Sequence, residues 1–182
     1  MIIGLVGVKG SGKSTIAKYL VKHHNFIELT FAQALKDICH ILSGIPISII
    51  DPQTEDNRKL RETLKDPIFN MTGREWLQKI GTELFRDHFD PDIWIKIIER
   101  QLNTITTSQN YVISDCRFEN EYQMIKKYNG IIWIINRPEL KFNDTHRSET
   151  EWNTFINDND TQINNDGSID DLHKIIDINI KS

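Results

Sequence analysis

The apolar run Met1-Ile2-Ile3-Gly4-Leu5-Val6 leads directly into Gly7-Val8-Lys9-Gly10-Ser11-Gly12-Lys13-Ser14. That segment leads in turn into Thr15-Ile16-Ala17-Lys18-Tyr19-Leu20-Val21, whose apolar residues recur at helical spacing. A short buried strand, a glycine loop and a helix in that order restrict the chain to few architectures. The glycines let the backbone curl until several N–H groups point inward, at the head of a helix whose dipole favours negative charge. That concavity suits a phosphate. Lys13 brings a positive charge to the β/γ oxygens of a bound nucleotide, and the Ser14 hydroxyl is a ligand for Mg²⁺. The expected nucleotide-binding residues are therefore Gly7, Lys9, Gly10, Ser11, Gly12, Lys13, Ser14 and Thr15.

Downstream, Phe26 to Phe31 reads as a second strand, and Ala34, Leu35, Ile38, Ile41 and Leu42 mark a helix ending at Gly44. Pro46 to Asn70 is polar and irregular apart from a short exposed helix over Asp56 to Leu64, so residues 45–72 are expected to form a mobile insert. The capping box Thr72-Gly73-Arg74-Glu75 opens a helix with Trp76, Leu77, Ile80, Leu84 and Phe85 on one side. Asp90-Pro91 opens another, with Ile93, Trp94, Ile97, Ile98 and Leu102 facing inward. Tyr111-Val112-Ile113-Ser114 is a compact central strand, and the helix after it carries Tyr122, Ile125 and Tyr128 and stops at Asn129-Gly130. Ile131 to Ile135 is uniformly apolar, as in a strand covered on both faces. Thr161 to Asn164 makes a fifth, short strand, and Ser168-Ile169-Asp170-Asp171 caps a last helix with Leu172, Ile175 and Ile176. Strands alternating with helices predict a three-layer α/β fold of the P-loop NTPase type. Its central, mainly parallel sheet has about five strands flanked by helices, in a single domain over residues 1–182.

At 182 residues the chain can bury a proper core. Its net charge of −4 speaks against nucleic acid as a partner, since duplex binding leans on a basic surface. No apolar run approaches a membrane span, and the N-terminus reads as a core strand rather than a signal peptide. Cys39 and Cys116 lack metal-ligand spacing, which fits a reducing, cytoplasmic setting.

In an open α/β sheet, ligands gather beyond the carboxyl ends of the strands. Besides the glycine loop, those ends present Phe31-Ala32, Asp115-Cys116-Arg117, Asn136-Arg137 and Asn164 to Gly167. Asp115 stands where a carboxylate reaches the Mg²⁺ shell through water, or else serves as a helix N-cap or an ion-pair partner of Arg117. Arg117 has the planar guanidinium that clamps a phosphate bidentately. Arg74, Gln78, Thr82 and Arg86 recur every four residues. At about 100° per residue each step drifts by about 40°, so neighbours share a face and the ends do not. Polarity alone leaves that stripe as either a solvated face or a ligand face. Arg137, Lys141, His146 and Arg147 fall in a polar stretch, residues 137–150, that reads as a lid bringing positive charge to a transition state. The alternative is a solvated segment before another capping box, Ser148-Glu149-Thr150-Glu151. Arg137, at a strand end, is the residue expected to act.

The segments Gly7 to Thr15, Thr72 to Glu83 and Ile113 to Glu121, with Arg137-Pro138 and His146-Arg147-Ser148-Glu149, span almost the whole chain. In that order they resemble the deoxynucleoside monophosphate kinases of bacteriophages and large DNA viruses. The first segment is generic to P-loop proteins; the second and third are much more specific. The resemblance implies transfer of the ATP γ-phosphoryl group to a deoxynucleoside monophosphate, with Mg²⁺ held by Ser14 and Asp115. It implies catalytic roles for Lys13, Arg117 and Arg137, and an acceptor site built from Phe31, Lys36, Arg74, Gln78, Thr82, Asp115 and Arg117. It makes the turn Asn164-Asn165-Asp166-Gly167 the ATP base site, with Asp166 and Gly167 at the donor, where turn chemistry alone gives a plain turn. It allows a homodimer, and a host cytoplasm if the source is a virus.

A dephospho-coenzyme A or phosphomevalonate kinase would share the loop and the sheet. Phe31-Ala32 stand where the coenzyme A version calls for an Asp after the second strand. A GTP-driven switch lacks its Asp-x-x-Gly and Asn/Thr-Lys-x-Asp segments here. A nucleotide-binding module without catalysis would have no need of Lys13, Ser14 and Asp115 together.

Overall fold

Five parallel strands carry the fold. In the computed structural model, which describes residues 1–104, 109–140 and 151–181, these are β1 (Ile2–Val6), β2 (Phe26–Leu29), β3 (Asn110–Ile113), β4 (Ile131–Asn136) and β5 (Thr161–Asn164). They lie in the order β2-β3-β1-β4-β5, and every neighbouring pair is parallel. Parallel strands are covered on both faces, which is why they read as continuous apolar runs. Ile132 to Ile135 of β4 accordingly are at most 1% exposed.

Alternation along β1 divides the core. Ile3 and Leu5, with Trp133 and Ile135 of β4, pack against Ile16, Ala17 and Leu20 of α1 (Lys13–His24) and Leu172 and Ile176 of the C-terminal helix (Ile169–Ile180). Gly4 points to the other face. A Cβ there would come within 2.6 Å of Ile125 Cδ1 and 2.9 Å of Ile132 Cδ1, so the helix Glu119–Lys127 approaches where the strand has no side chain. The sheet is thus the middle of three layers, as the sequence predicts.

Two compact units make up the chain: Met1–Thr30 with Gln101–Ser182, and Phe31–Arg100. The sheet belongs to the first. The second contains α2 (Gln33–Ser43), α3 (Ile47–Ile50), α4 (Glu55–Thr63), α5 (Gly73–Gln78) and most of α6 (Ile93–Thr104). Among the described residues, the α-helices that follow in chain order are α7 (Glu119–Lys127) and α8 (Ile169–Ile180).

The short exposed helix expected over Asp56 to Leu64 is α4, and the rest of the stretch from Pro46 to Asn70, expected to be irregular, holds α3 and a pinned loop. Thr54 Oγ1 accepts from Asn57 N and caps α4, which buries none of its residues. Asp66 is buried, and its carboxylate accepts hydrogen bonds from the backbone N–H of Ile68, Phe69 and Met71 and from Trp76 Nε1. Burial raises the Asp66 carboxyl, but these four donors outweigh it and hold the group at about 2.

The helix opened by the Thr72–Glu75 capping box departs from α geometry after α5 and runs as a π-helix over Lys79–Arg86. Leu84, expected beside Trp76 and Ile80, is therefore 51% exposed. A π turn closes at the fifth residue and holds more than four, so the step from Ile80 to Leu84 falls short of a full turn. Two contacts accompany the change: Trp94 Nε1 donates to Gly81 O at 3.1 Å, and a Cβ on Gly81 would lie 2.4 Å from Leu35 Cδ2.

Candidate functional site

Gly7, Gly10 and Gly12 hold φ values of +144°, +86° and +115°, a region that L side chains enter only with strain. The loop they form closes through Ser11 N to Val8 O at 3.1 Å and hands over to α1 through Thr15 N and Ile16 N, both on Gly12 O at 3.0 Å. Lys13 is half-buried, and its Nζ donates to Gly7 O and Val8 O at 2.5 and 2.8 Å. The ammonium is therefore held against the loop's own carbonyls. Ser14 and Thr15 are exposed in the first turn of α1.

β3 and β4 are the hydrogen-bonded neighbours of β1, so their carboxyl ends flank this loop. Beyond β3 stand Asp115 and Arg117, both half-buried. Asp115 is not the N-cap of α7, since that position belongs to Phe118. Buried Glu121 reaches back from the first turn of α7 and accepts from Arg117 N at 2.7 Å and Phe118 N at 3.2 Å. This carboxylate fixes the backbone that carries Arg117. The sequence reading gave it no role, although its place in the first turn of a helix was a readable signal. The Cys116 thiol is held well above its usual range, first by burial and then by the charges of Glu121, Asp115 and Asp160, with Lys13 pulling the other way. It is a neutral packing group.

Beyond β4, Arg137 Nη1 donates to Gly10 O at 3.3 Å, and the Leu140 methyls stand 3.5 Å from where a Gly10 Cβ would be. The segment after β4 thus begins over the phosphate loop. Lys141, His146 and Arg147, and with them most of the expected lid, lie outside the described residues. Beyond β5, Asp166 and Gly167 are exposed in the turn before α8, which Ser168 and Asp171 cap reciprocally. Asn165, given no separate role in the sequence reading, donates from Nδ2 to Ser11 O at 2.8 Å.

The Ser14 hydroxyl and the Asp115 carboxylate are each oxygen donors of the kind Mg²⁺ takes alongside waters and substrate phosphates. Among the described residues, no group of three or more His, Cys, Asp or Glu side chains is placed to hold a metal.

In the second unit, Arg74, Gln78 and Thr82 are all half-buried on α5 and the π segment. The π geometry corrects the drift expected for this stripe. The step from Arg74 to Gln78 overshoots a turn, but the steps from Gln78 onward fall short of one, so the stripe swings back instead of spiralling away. Arg74 Nε lies 3.8 Å from Glu62 Oε2. Lys36 pairs with Asp51 at 2.9 Å, and Phe31 is only 3% exposed.

A parallel sheet in this order, with a glycine loop running from its central strand into α1, defines a P-loop α/β protein. Among solved structures, dephospho-CoA kinase from Campylobacter jejuni matches with a TM-score of 0.54 and 16% identity, covering 99% of this chain and 95% of that one, which is a likeness of fold. The family model for deoxynucleotide monophosphate kinase matches residues 46–176, and the chain belongs to that family. A relative in Acanthamoeba polyphaga mimivirus, named for the same family, is 38% identical over 161 residues, covering 83% of this chain and 81% of the relative. The deoxynucleotide monophosphate kinase of Enterobacteria phage T4 is 22% identical over 230 residues, with 94% and 95% covered.

Proposed function

We propose that the protein phosphorylates deoxynucleoside monophosphates to diphosphates, taking the γ-phosphoryl group of ATP. The observation that carries this reading is the set of groups around the phosphate loop. Lys13 lies in it, Arg137 reaches over it, and Asp115 and Arg117 follow the neighbouring strand. Phosphoryl transfer needs alignment and charge neutralisation more than covalent help, and two guanidiniums with one ammonium supply both. Ser14 directly and Asp115 through water would hold Mg²⁺, which would supply charge neutralisation at the phosphates. Lys13 exchanges the Gly7 and Val8 carbonyls for phosphate oxygens when nucleotide enters. Arg117 clamps the acceptor phosphate, and Arg137 brings positive charge to the transferring group.

Incubating the protein with MgATP and a panel of deoxynucleoside and ribonucleoside monophosphates, with dephospho-coenzyme A alongside, tests this directly. Products confined to deoxynucleoside diphosphates support the proposal. Turnover of dephospho-coenzyme A alone would replace it with the second reading that the fold permits. ATP binding without turnover of any acceptor would reduce the chain to a nucleotide-binding module.

A further inference from the structure

Asn165 sits between β5 and α8, outside the phosphate loop in sequence, yet it is tied both to β4 and to that loop. Its backbone N–H donates to Asn136 O at 2.7 Å, extending the β4–β5 ladder by one rung. Its side-chain Nδ2 donates to Ser11 O at 2.8 Å. A Cβ on Gly12 would fall 2.5 Å from that same nitrogen, so the carboxamide occupies the room that Gly12 leaves open. Ser11 is fully buried.

From this geometry we infer that Asn165 is a positioning residue for the donor phosphates. A trans peptide is planar, and its C=O and N–H point to opposite sides. Holding the Ser11 carbonyl toward Asn165 therefore turns the Gly12 N–H the other way, toward the side where a phosphate is bound. Without the carboxamide that peptide is free to rotate about its flanking dihedrals, which glycine permits more than any other residue. The N–H must then be ordered when the nucleotide binds, and that cost appears as lost affinity. Because Asp166 and Gly167 follow directly, the same side chain links the phosphate loop to the turn proposed for the purine. The inference rests on the proposal that the Gly7–Ser14 loop takes the donor nucleotide.

Two probes separate a phosphate role from a base role: MgATP, and Mg²⁺ with inorganic tripolyphosphate, which carries the phosphates without a base. Their dissociation constants are measured for the parent, Asn165→Ala and Asn165→Asp, with thermal unfolding to establish that each variant is folded. Asn165→Asp keeps the shape and removes the donor, so it carries the test even where Asn165→Ala loses stability. Both variants are expected to weaken both probes by a similar factor, about 10-fold, the size of one lost hydrogen bond, while the KM for the monophosphate stays within about twofold. Weaker ATP binding with unchanged tripolyphosphate binding would overturn the inference and make Asn165 a base contact. Parent-like binding of both probes by the folded variants would also overturn it and leave the kinase reading intact. Failure of the parent itself to bind ATP would remove that reading and this inference together.

Discussion

Replacing Gly7 by alanine tests whether the phosphate loop is seated in the sheet as described. Gly7 has φ +144°, and a Cβ there would lie 2.6 Å from the carbonyl oxygen of Ile135. That oxygen cannot yield cheaply, because Ile135 is 1% exposed in β4, a strand paired on one side with β1 and on the other with β5. Backbone strain at such a φ costs about 1–3 kcal/mol, and forcing a methyl into a packed site costs about 1–3 kcal/mol more. A loss of about 2–6 kcal/mol is expected. In a chain of this size that lowers the midpoint of thermal unfolding by roughly 4–24 °C. Gly44→Ala is the control: its φ is +69°, but nothing lies within 4 Å of the added Cβ. It therefore carries the strain alone, about 1–2 kcal/mol. Urea denaturation of both variants, with ATP affinity measured beside it, checks the argument. A Gly7→Ala protein within about 0.5 kcal/mol of Gly44→Ala, binding ATP like the parent, would show that the loop does not pack against β4.

Lys13→Ala is expected to lower kcat by about 100-fold or more, about 2.7 kcal/mol of transition-state stabilisation, with the fold retained; near-normal turnover in a folded variant would contradict this. Arg117→Ala should lower kcat/KM for the monophosphate by roughly 10- to 150-fold, the size of a lost charge-assisted clamp, and move the ATP KM much less. Steady-state kinetics with each substrate varied in turn decides it, and a raised ATP KM alone would assign Arg117 to the donor. The folded Asp66 carboxyl, at about 2, lies below its ordinary value, so its contribution is present above about pH 4 and is lost as pH falls toward about 2. The gap in urea midpoint between the parent and Asp66→Asn should accordingly be full at pH 6 and shrink through that window; a gap independent of pH would refute the assignment.

What could be read from the sequence was what local rules govern. The glycine loop, the five strands, the Thr72–Glu75 and Ser168–Asp171 boxes and the strand-end placement of Asp115, Arg117 and Arg137 all follow from spacing, capping and strand-end logic. The π segment was not legible, because four-residue spacing reads the same in an α-helix. It is seen only with the close approach of Leu35 to Gly81 and the Trp94 indole on the Gly81 carbonyl. Nothing local marks Asp66 as a buried acceptor, since three of its four donors are backbone groups whose orientation exists only after folding. The reach of Asn165 to Ser11 spans 154 residues of sequence, beyond any local signal.

The most direct test of the central claim is a single-turnover reaction with ATP labelled in its γ-phosphate and one deoxynucleoside monophosphate in excess, with Mg²⁺. The label is expected in the β position of the deoxynucleoside diphosphate, at a rate that falls about 100-fold or more in Lys13→Ala. Label released only as inorganic phosphate, or left in ATP while the nucleotide binds, would contradict the account.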